Sequence, residues 1–107
     1  MRTICIKTKI NTDLIDEVRS WFQTLKKRLD ETMETLKNEG VLVESAFLDR
    51  QGDDVYLIYY LKAHDIDKAY AIFEKSTSSI DCYFKECWKK YCKGRVVLEE
   101  LLDLERL

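Results

Sequence analysis

The chain opens on an alternating stretch. From Thr3 to Ile10, Ile4, Ile6 and Ile10 fall on one side, and Thr3, Cys5, Lys7 and Lys9 on the other. That is the period of a half-buried strand. Asn11, Thr12 and Asp13 follow, any of which can cap a helix. The period then changes. Leu14, Val18, Trp21, Phe22, Leu25, Leu29, Met33 and Leu36 recur at helical spacing, with Arg19, Gln23, Lys26, Lys27, Asp30 and Glu34 on the opposite face. This spacing predicts a long amphipathic helix, continuous or with one break, ending near Asn38 before Gly40. Burial of the apolar stripe must hold it, because an isolated helix is marginal in water.

Val41 to Asp49 and Val55 to Leu61 read as two further strands, the second rich in β-branched and aromatic residues. Arg50-Gln51-Gly52-Asp53-Asp54 between them is turn chemistry, so the pair forms an antiparallel hairpin. His64-Asp65-Ile66-Asp67 starts a second helical region with Asp65 as its cap, and Ile66, Ala69, Tyr70 and Phe73 line one side. Ser76-Thr77-Ser78-Ser79 interrupts it. A further helix then carries Ile80, Tyr83, Phe84, Cys87, Trp88 and Tyr91 on one face, and Gly94 is expected to end it. Val96, Val97 and Leu98 open a last segment that runs to Leu107. Strand and helix periods compete over Leu98–Leu104; the leading valines and the order of elements favour a strand. With the two adjacent helices merged, the order is β-α-β-β-α-β, the split βαβ order of an α+β ferredoxin-like domain with an antiparallel sheet.

Both central strands are apolar on both faces. Val55, Leu57, Tyr59 and Leu61 share one side of the third strand, and Tyr56, Ile58 and Tyr60 the other. In the second strand Val41, Val43 and Phe47 oppose Leu42, Ala46 and Leu48. A sheet with helices on one face ordinarily alternates apolar inside with polar outside. Here a second copy of the chain is expected to cover the other face, with apolar burial stabilising the pair at about 25 cal/mol per Å² before association costs.

Length and charge narrow the picture further. The 107 residues make a single domain, residues 1–107. With 18 basic and 20 acidic side chains the net charge is −2, which argues against nucleic acid and anionic membranes as partners. The N-terminal residues hold no apolar run of signal or anchor length, so a cytoplasmic location is expected, with Cys5, Cys82, Cys87 and Cys92 reduced.

The element order and the two-sided sheet resemble the dimeric α+β barrel superfamily. It includes small haem-degrading and antibiotic-biosynthesis monooxygenases, muconolactone-isomerase-like enzymes and stress-responsive barrel proteins. Ser76 to Trp88, with Ile80-Asp81 before an aromatic-rich helix, and Leu98-Glu99-Glu100-Leu101-Leu102-Asp103-Leu104 are similar to an uncharacterised bacterial family of unknown function. The resemblance implies the fold and a homodimer. Haem-degrading members use an Asn on the first strand, a Trp on a central strand and a haem-ligating His on the second helical segment. Asn11 and His64 lie near the corresponding places, but the third strand carries tyrosines and no tryptophan, so the trio is not reproduced.

No motif names a reaction, and no cofactor is implied. Low-specificity candidates for a small-molecule pocket are Tyr60, His64, Asp81 and Trp88. His64, the single histidine, is a base or ligand on one reading and a surface residue at a helix start on the other. Asp81 is either a buried acid or the third residue of a helix capped by Ser78, its carboxylate answering the cap. The five-residue steps between Cys82, Cys87 and Cys92 turn about 140° around a helix, so these thiols do not share a face and no metal site is expected. Cys87 falls on the apolar stripe. Lys85, Lys89, Lys90, Lys93 and Arg95 either hold an anion or, as preferred, complement a helix C-terminus. Two functions stand: a dimeric binding, regulatory or assembly domain, preferred because no pair of titratable groups shows acid–base spacing, and, as the alternative, a cofactor-free monooxygenase- or isomerase-like enzyme acting on a small aromatic or lipophilic substrate. An open cavity of roughly 300 Å³ or more holding one of these polar groups favours the second.

Overall fold

A computed structural model describes residues 2–106. The chain runs β1 (Arg2–Ile10), a 3-10 turn (Thr12–Leu14), α1 (Ile15–Lys27), α2 (Leu29–Glu39), β2 (Val41–Gln51), β3 (Asp54–Ala63), α3 (Ile66–Lys75), α4 (Ser79–Tyr91) and β4 (Cys92–Val97). The strands form one antiparallel sheet in the order β2-β3-β1-β4, which is the ferredoxin-like arrangement. Gln51 pairs with Asp54, and Gly52 with φ 61° makes the tight connection between β2 and β3.

The helices cover the sheet face that presents Ile6, Ile10, Leu57, Tyr59 and Leu61. Trp21 is the centre of this layer. Its ring stacks on Phe22 at 4.4 Å between centroids and meets Phe84 edge-on at 5.1 Å. Aromatic contacts of this kind add about 0.5–1.5 kcal/mol to the area buried.

The long helix does break, at Arg28, where φ −102° and ψ 44° leave the helical region. The carbonyls freed there are not left bare. Thr32 Oγ1 lies 3.0 Å from the carbonyls of both Leu25 and Arg28, and the Arg28 guanidinium holds Glu31 at 2.6 and 2.8 Å. The break turns α2 away from the line of α1. The apolar stripe is therefore buried only as far as Leu25, and Leu29 and Met33, expected inside, are exposed. α2 instead leans over the sheet beside α3 and α4, which places Thr35 and Glu39 above β2.

The C-terminal segment departs most from expectation. Gly94 does not end α4. That helix stops at Tyr91, where the N–H of Cys92 still bonds to the Trp88 carbonyl, and the chain passes directly into β4. Gly94 lies inside the strand, with φ 67°, where the pairing of β4 with β1 shifts register between Lys7 and Lys9. The buried Thr8 hydroxyl donates to its carbonyl. The last strand thus begins before the valines and stops at Val97; Leu98–Leu104 is neither strand nor helix. The segment leaves β1 after the Leu98 N–H bonds to the Cys5 carbonyl, and Asp103 and Glu105 pair with Lys62 at 3.4 and 2.7 Å. Residue 107 lies outside the described residues.

A Cβ at Gly94 would meet nothing within 4 Å, so only the left-handed backbone opposes a side chain there. Gly94→Ala is expected to cost about 1–2 kcal/mol. Urea unfolding should show a lower midpoint with an unchanged slope; an unchanged midpoint would remove the bulge from the account.

Candidate functional site

One unpaired residue sets the site. Val41 pairs with Ala63 and Val43 with Lys62, so Leu42 has no partner on β3. Such a bulge exchanges the faces of every residue beyond it. Val41 faces the helices with Ala63, but Val43, Ser45 and Phe47 pair with Lys62, Tyr60 and Ile58 on the face away from the helices. Val41 therefore does not share a face with Val43 and Phe47, as strict alternation predicts. Glu44, Ala46 and Leu48 pair with Leu61, Tyr59 and Leu57, whose side chains point at the helices. A carboxyl is thus carried into the apolar layer.

The layer does not close over it. A cavity of about 410 Å³ lies between the sheet and α2, α3 and α4. Glu39 from the end of α2, Glu44 from β2, Tyr59 from β3 and Asp81 from α4 line its polar side, against walls that include Phe73, Phe84 and Trp88. Lys85, Lys89 and Arg95 also line it. This exceeds the cavity size at which an enzyme or ligand role is favoured, and Asp81 is the expected polar group within it.

The acids differ in environment. Burial pushes the Glu39 carboxyl up to about 8, reinforced by Asp81 and Glu44 and opposed by Lys85. Burial also raises Glu44; the Tyr59 phenol beside it pulls the other way, and Asp81 adds to the rise. Tyr59 is raised well above an ordinary phenol, by burial first and by Glu44 second. Asp81, 4% exposed, is held differently. Thr35 Oγ1 reaches its two oxygens at 2.6 and 2.8 Å. The Ser78 cap forms as the sequence implies, with the Asp81 N–H donating to Ser78 Oγ at 3.3 Å, but the Asp81 carboxylate turns to Thr35 rather than back to the cap.

A carboxylic acid that keeps its proton at neutral pH, next to a second carboxyl and a phenol, is the composition of an acid–base pair. Two of the sequence candidates, Asp81 and Trp88, meet here. The other two do not. Tyr60 pairs with Cys5 and Ser45 on the opposite face of the sheet, because strand alternation separates it from Tyr59. His64 is exposed beyond β3, with its backbone N–H on the Gly40 carbonyl at 3.3 Å. The expected meeting of Tyr60, His64 and Asp81 is not formed. Glu39 and Glu44 were not legible as site residues. Glu44 did carry a signal, as a lone acid inside an apolar strand. Glu39 carried none, since an acid before Gly40 reads as a solvated helix end.

The thiols stand apart from this site. Cys87 is buried in the core and Cys82 is exposed. Burial drives Cys92 up to about 12, against the nearby Thr8 hydroxyl, and raises Cys87 as well. Neither is a thiolate at neutral pH. Among the described residues no group of three or more His, Cys, Asp or Glu could hold a metal ion, and no helix is long and apolar enough to cross a membrane.

The strand order and the helices on one face define an α+β domain with the ferredoxin-like fold. The chain belongs to DUF6176, a family of unknown function, which it matches over residues 1–107. No curated protein matches its sequence. Its structure is similar to the crystal structure of an L-rhamnose mutarotase from Formosa agariphila, at TM-score 0.67 and 17% identity over 98% of this chain and 100% of that one. It is also similar to an antibiotic biosynthesis monooxygenase-like protein from Nitrosomonas europaea (TM-score 0.61, 10% identity, 95% and 100% covered). A de novo designed protein with a ferredoxin fold aligns at TM-score 0.58 and 20% identity, over 100% of this chain and 94% of the design. At these identities the likeness is one of fold.

The Glu39 shift has a sign that stability measurements can read. The folded state keeps a proton that an unfolded glutamate releases near 4.5, so folding loses stability as pH rises from about 4.5 to about 8. Discounted for partial solvent access, the loss is about 1–2 kcal/mol. Thermal unfolding should therefore be highest at the acid end of that window, and Glu39→Gln should flatten the slope and raise the melting temperature at pH 8. A slope identical in the variant would assign the pH dependence to other groups.

Proposed function

We propose that the chain is a small acid–base enzyme of isomerase type, working without a redox group, in the cleft between the sheet and α2, α3 and α4. The observation that carries this reading is the joint burial of Glu39 and Glu44 on an otherwise aromatic cavity wall. In the forward direction Glu44, as carboxylate, takes a proton from carbon or oxygen of the bound molecule. Glu39, still protonated, delivers its proton to a substrate oxygen. The Tyr59 phenol fixes the Glu44 carboxylate in place, and Thr35 does the same for Asp81. The aromatic wall excludes water, which strengthens each of these interactions. Such a proton exchange needs no group beyond these side chains. One structural neighbour is an L-rhamnose mutarotase, and exchange of sugar anomers is itself acid–base chemistry within one small molecule, which agrees with the proposal without fixing a substrate.

Deuterium wash-in followed by proton NMR is the test, with 2-oxo acids, neutral ketones and free sugars including L-rhamnose, the last read as anomer exchange. Wild-type protein should accelerate exchange in at least one class. Glu44→Gln should lower that rate by about 100-fold or more. Binding without acceleration in any class would leave the protein a binding domain and overturn the catalytic reading.

The uncovered sheet face supports a second, compatible element of the proposal: the chain works as a homodimer. Phe47 is 62% exposed there, beside Val43, Ile58 and Tyr60. Exposed apolar surface of this extent marks a contact surface, and a face built from a regular sheet suits an isologous twofold contact. Light scattering should give twice 12.7 kDa, and Phe47→Glu should return a single-chain mass. A monomer at high concentration in the wild type would end this part.

A further inference from the structure

The cavity is lined by cations as well as acids, and the function proposed above uses only the acids. Lys85, Lys89 and Arg95, from α4 and β4, share the cavity with the acids. Lys85 is engaged already: its Nζ donates to the carbonyls of Glu74 and Ser76 at 3.0 and 2.9 Å and lies 5.1 Å from the Phe73 ring centroid. Lys89 and Arg95 are not. Among the described residues neither pairs with a carboxylate. Arg95 is nonetheless held in place, its guanidinium carbon 5.3 Å from the centroid of the Tyr70 ring on α3. A guanidinium stacked on an aromatic face keeps its N–H fork free for a planar anion. The bulge at Gly94 stands directly before it in the chain and sets the direction in which this part of β4 presents its side chains.

We propose that the molecule bound in this cleft is an organic acid, its carboxylate or phosphate head held by Arg95 and Lys89 and its apolar body lying against Phe73, Phe84 and Trp88. The inference rests on the acid–base reading for what Glu39 and Glu44 do, and on its own geometry for the head. Placed this way, the atoms next to the head group lie towards Glu39 and Glu44. For a 2-oxo acid the step is then enolisation: the carbon–hydrogen bond beside the carbonyl breaks, its proton passes to Glu44, its electron pair forms the carbon–carbon double bond, and the carbonyl oxygen takes the proton of Glu39. The next solvent exchange restores both carboxyls. No oxidant or reductant enters.

The probe is phenylpyruvate, which has an aromatic body, a carboxylate head and exchangeable protons between them. Phenylacetone is the same body without the head, and inorganic phosphate is the head without the body. Calorimetric titration of the full chain should give phenylpyruvate at least tenfold tighter binding than phenylacetone. Phosphate should compete with phenylpyruvate, and raised salt should weaken binding of the acid alone. Arg95→Met should remove about tenfold in affinity and Arg95→Lys should restore part of it; Lys89→Met gives an independent reading should the edge strand not tolerate the first change. Equal binding of the acid and the ketone, or unchanged affinity in both Met variants, would overturn the anion grip. The two readings fail separately. Glu44→Gln should still bind phenylpyruvate while losing its deuterium wash-in. Loss of affinity in Arg95→Met with no wash-in in the wild type would keep the organic-acid ligand and dismiss the chemistry.

Discussion

The arrangement depends on the slip of one residue where β2 leaves α2. With Leu42 unpaired, Val41 stays in the core, Glu44 turns under the helices, and Val43 and Phe47 turn to the outer face. A regular strand would keep Val41 and Val43 together and send Glu44 outward to water. The bulge therefore builds both faces at once: an inner face with a carboxyl in an apolar layer and an outer face that is largely apolar. Both are unfavourable for an isolated, closed domain, and both become useful if the inner face binds a ligand and the outer face a second copy.

The inner carboxyls are tolerated because the layer around them is open and because protonation relieves the charge. Glu39 is held neutral up to about pH 8, so the three acids do not all repel at once. The Asp81 carboxylate, deeper in the fold, accepts from the Thr35 hydroxyl instead. The break at Arg28 contributes to the same end. It releases α2 from the line of α1 and carries Thr35 and Glu39 over the cleft, at the cost of exposing Leu29 and Met33. The aromatic cluster around Trp21 offsets these losses on the other side of the layer, where α1 and α4 pack on the sheet.

The periods along the chain made the order of elements legible, down to the caps at Asp65 and Ser78, because burial and capping are local and repeat at fixed intervals. What stayed hidden was whatever depends on a single-residue irregularity. A bulge has no period, so the sidedness of Val41 was misread. Gly94 was assigned to a helix end because glycine serves helix ends and strand bulges equally well. The leucines after Val97 satisfy two periods and take neither; the segment instead pairs Asp103 and Glu105 with Lys62, far away in sequence. At the site, Asp81 and Trp88 were found through the apolar stripe of α4. Tyr60 was one alternation step from the residue that matters, Tyr59. His64 drew notice as the sole histidine, a property of composition that says nothing of where the side chain lies.

The protonation states of the cleft carboxyls are the physical core of the account. Carbon-13 NMR titration of the glutamate carboxyls reads them directly. A midpoint near 8 for Glu39 and one above 4.5 for Glu44, with the Glu39 midpoint falling when Glu44 is replaced by Gln, is the expected outcome. Ordinary midpoints near 4.5 for both would mean that water reaches them freely, and would contradict the cleft described above.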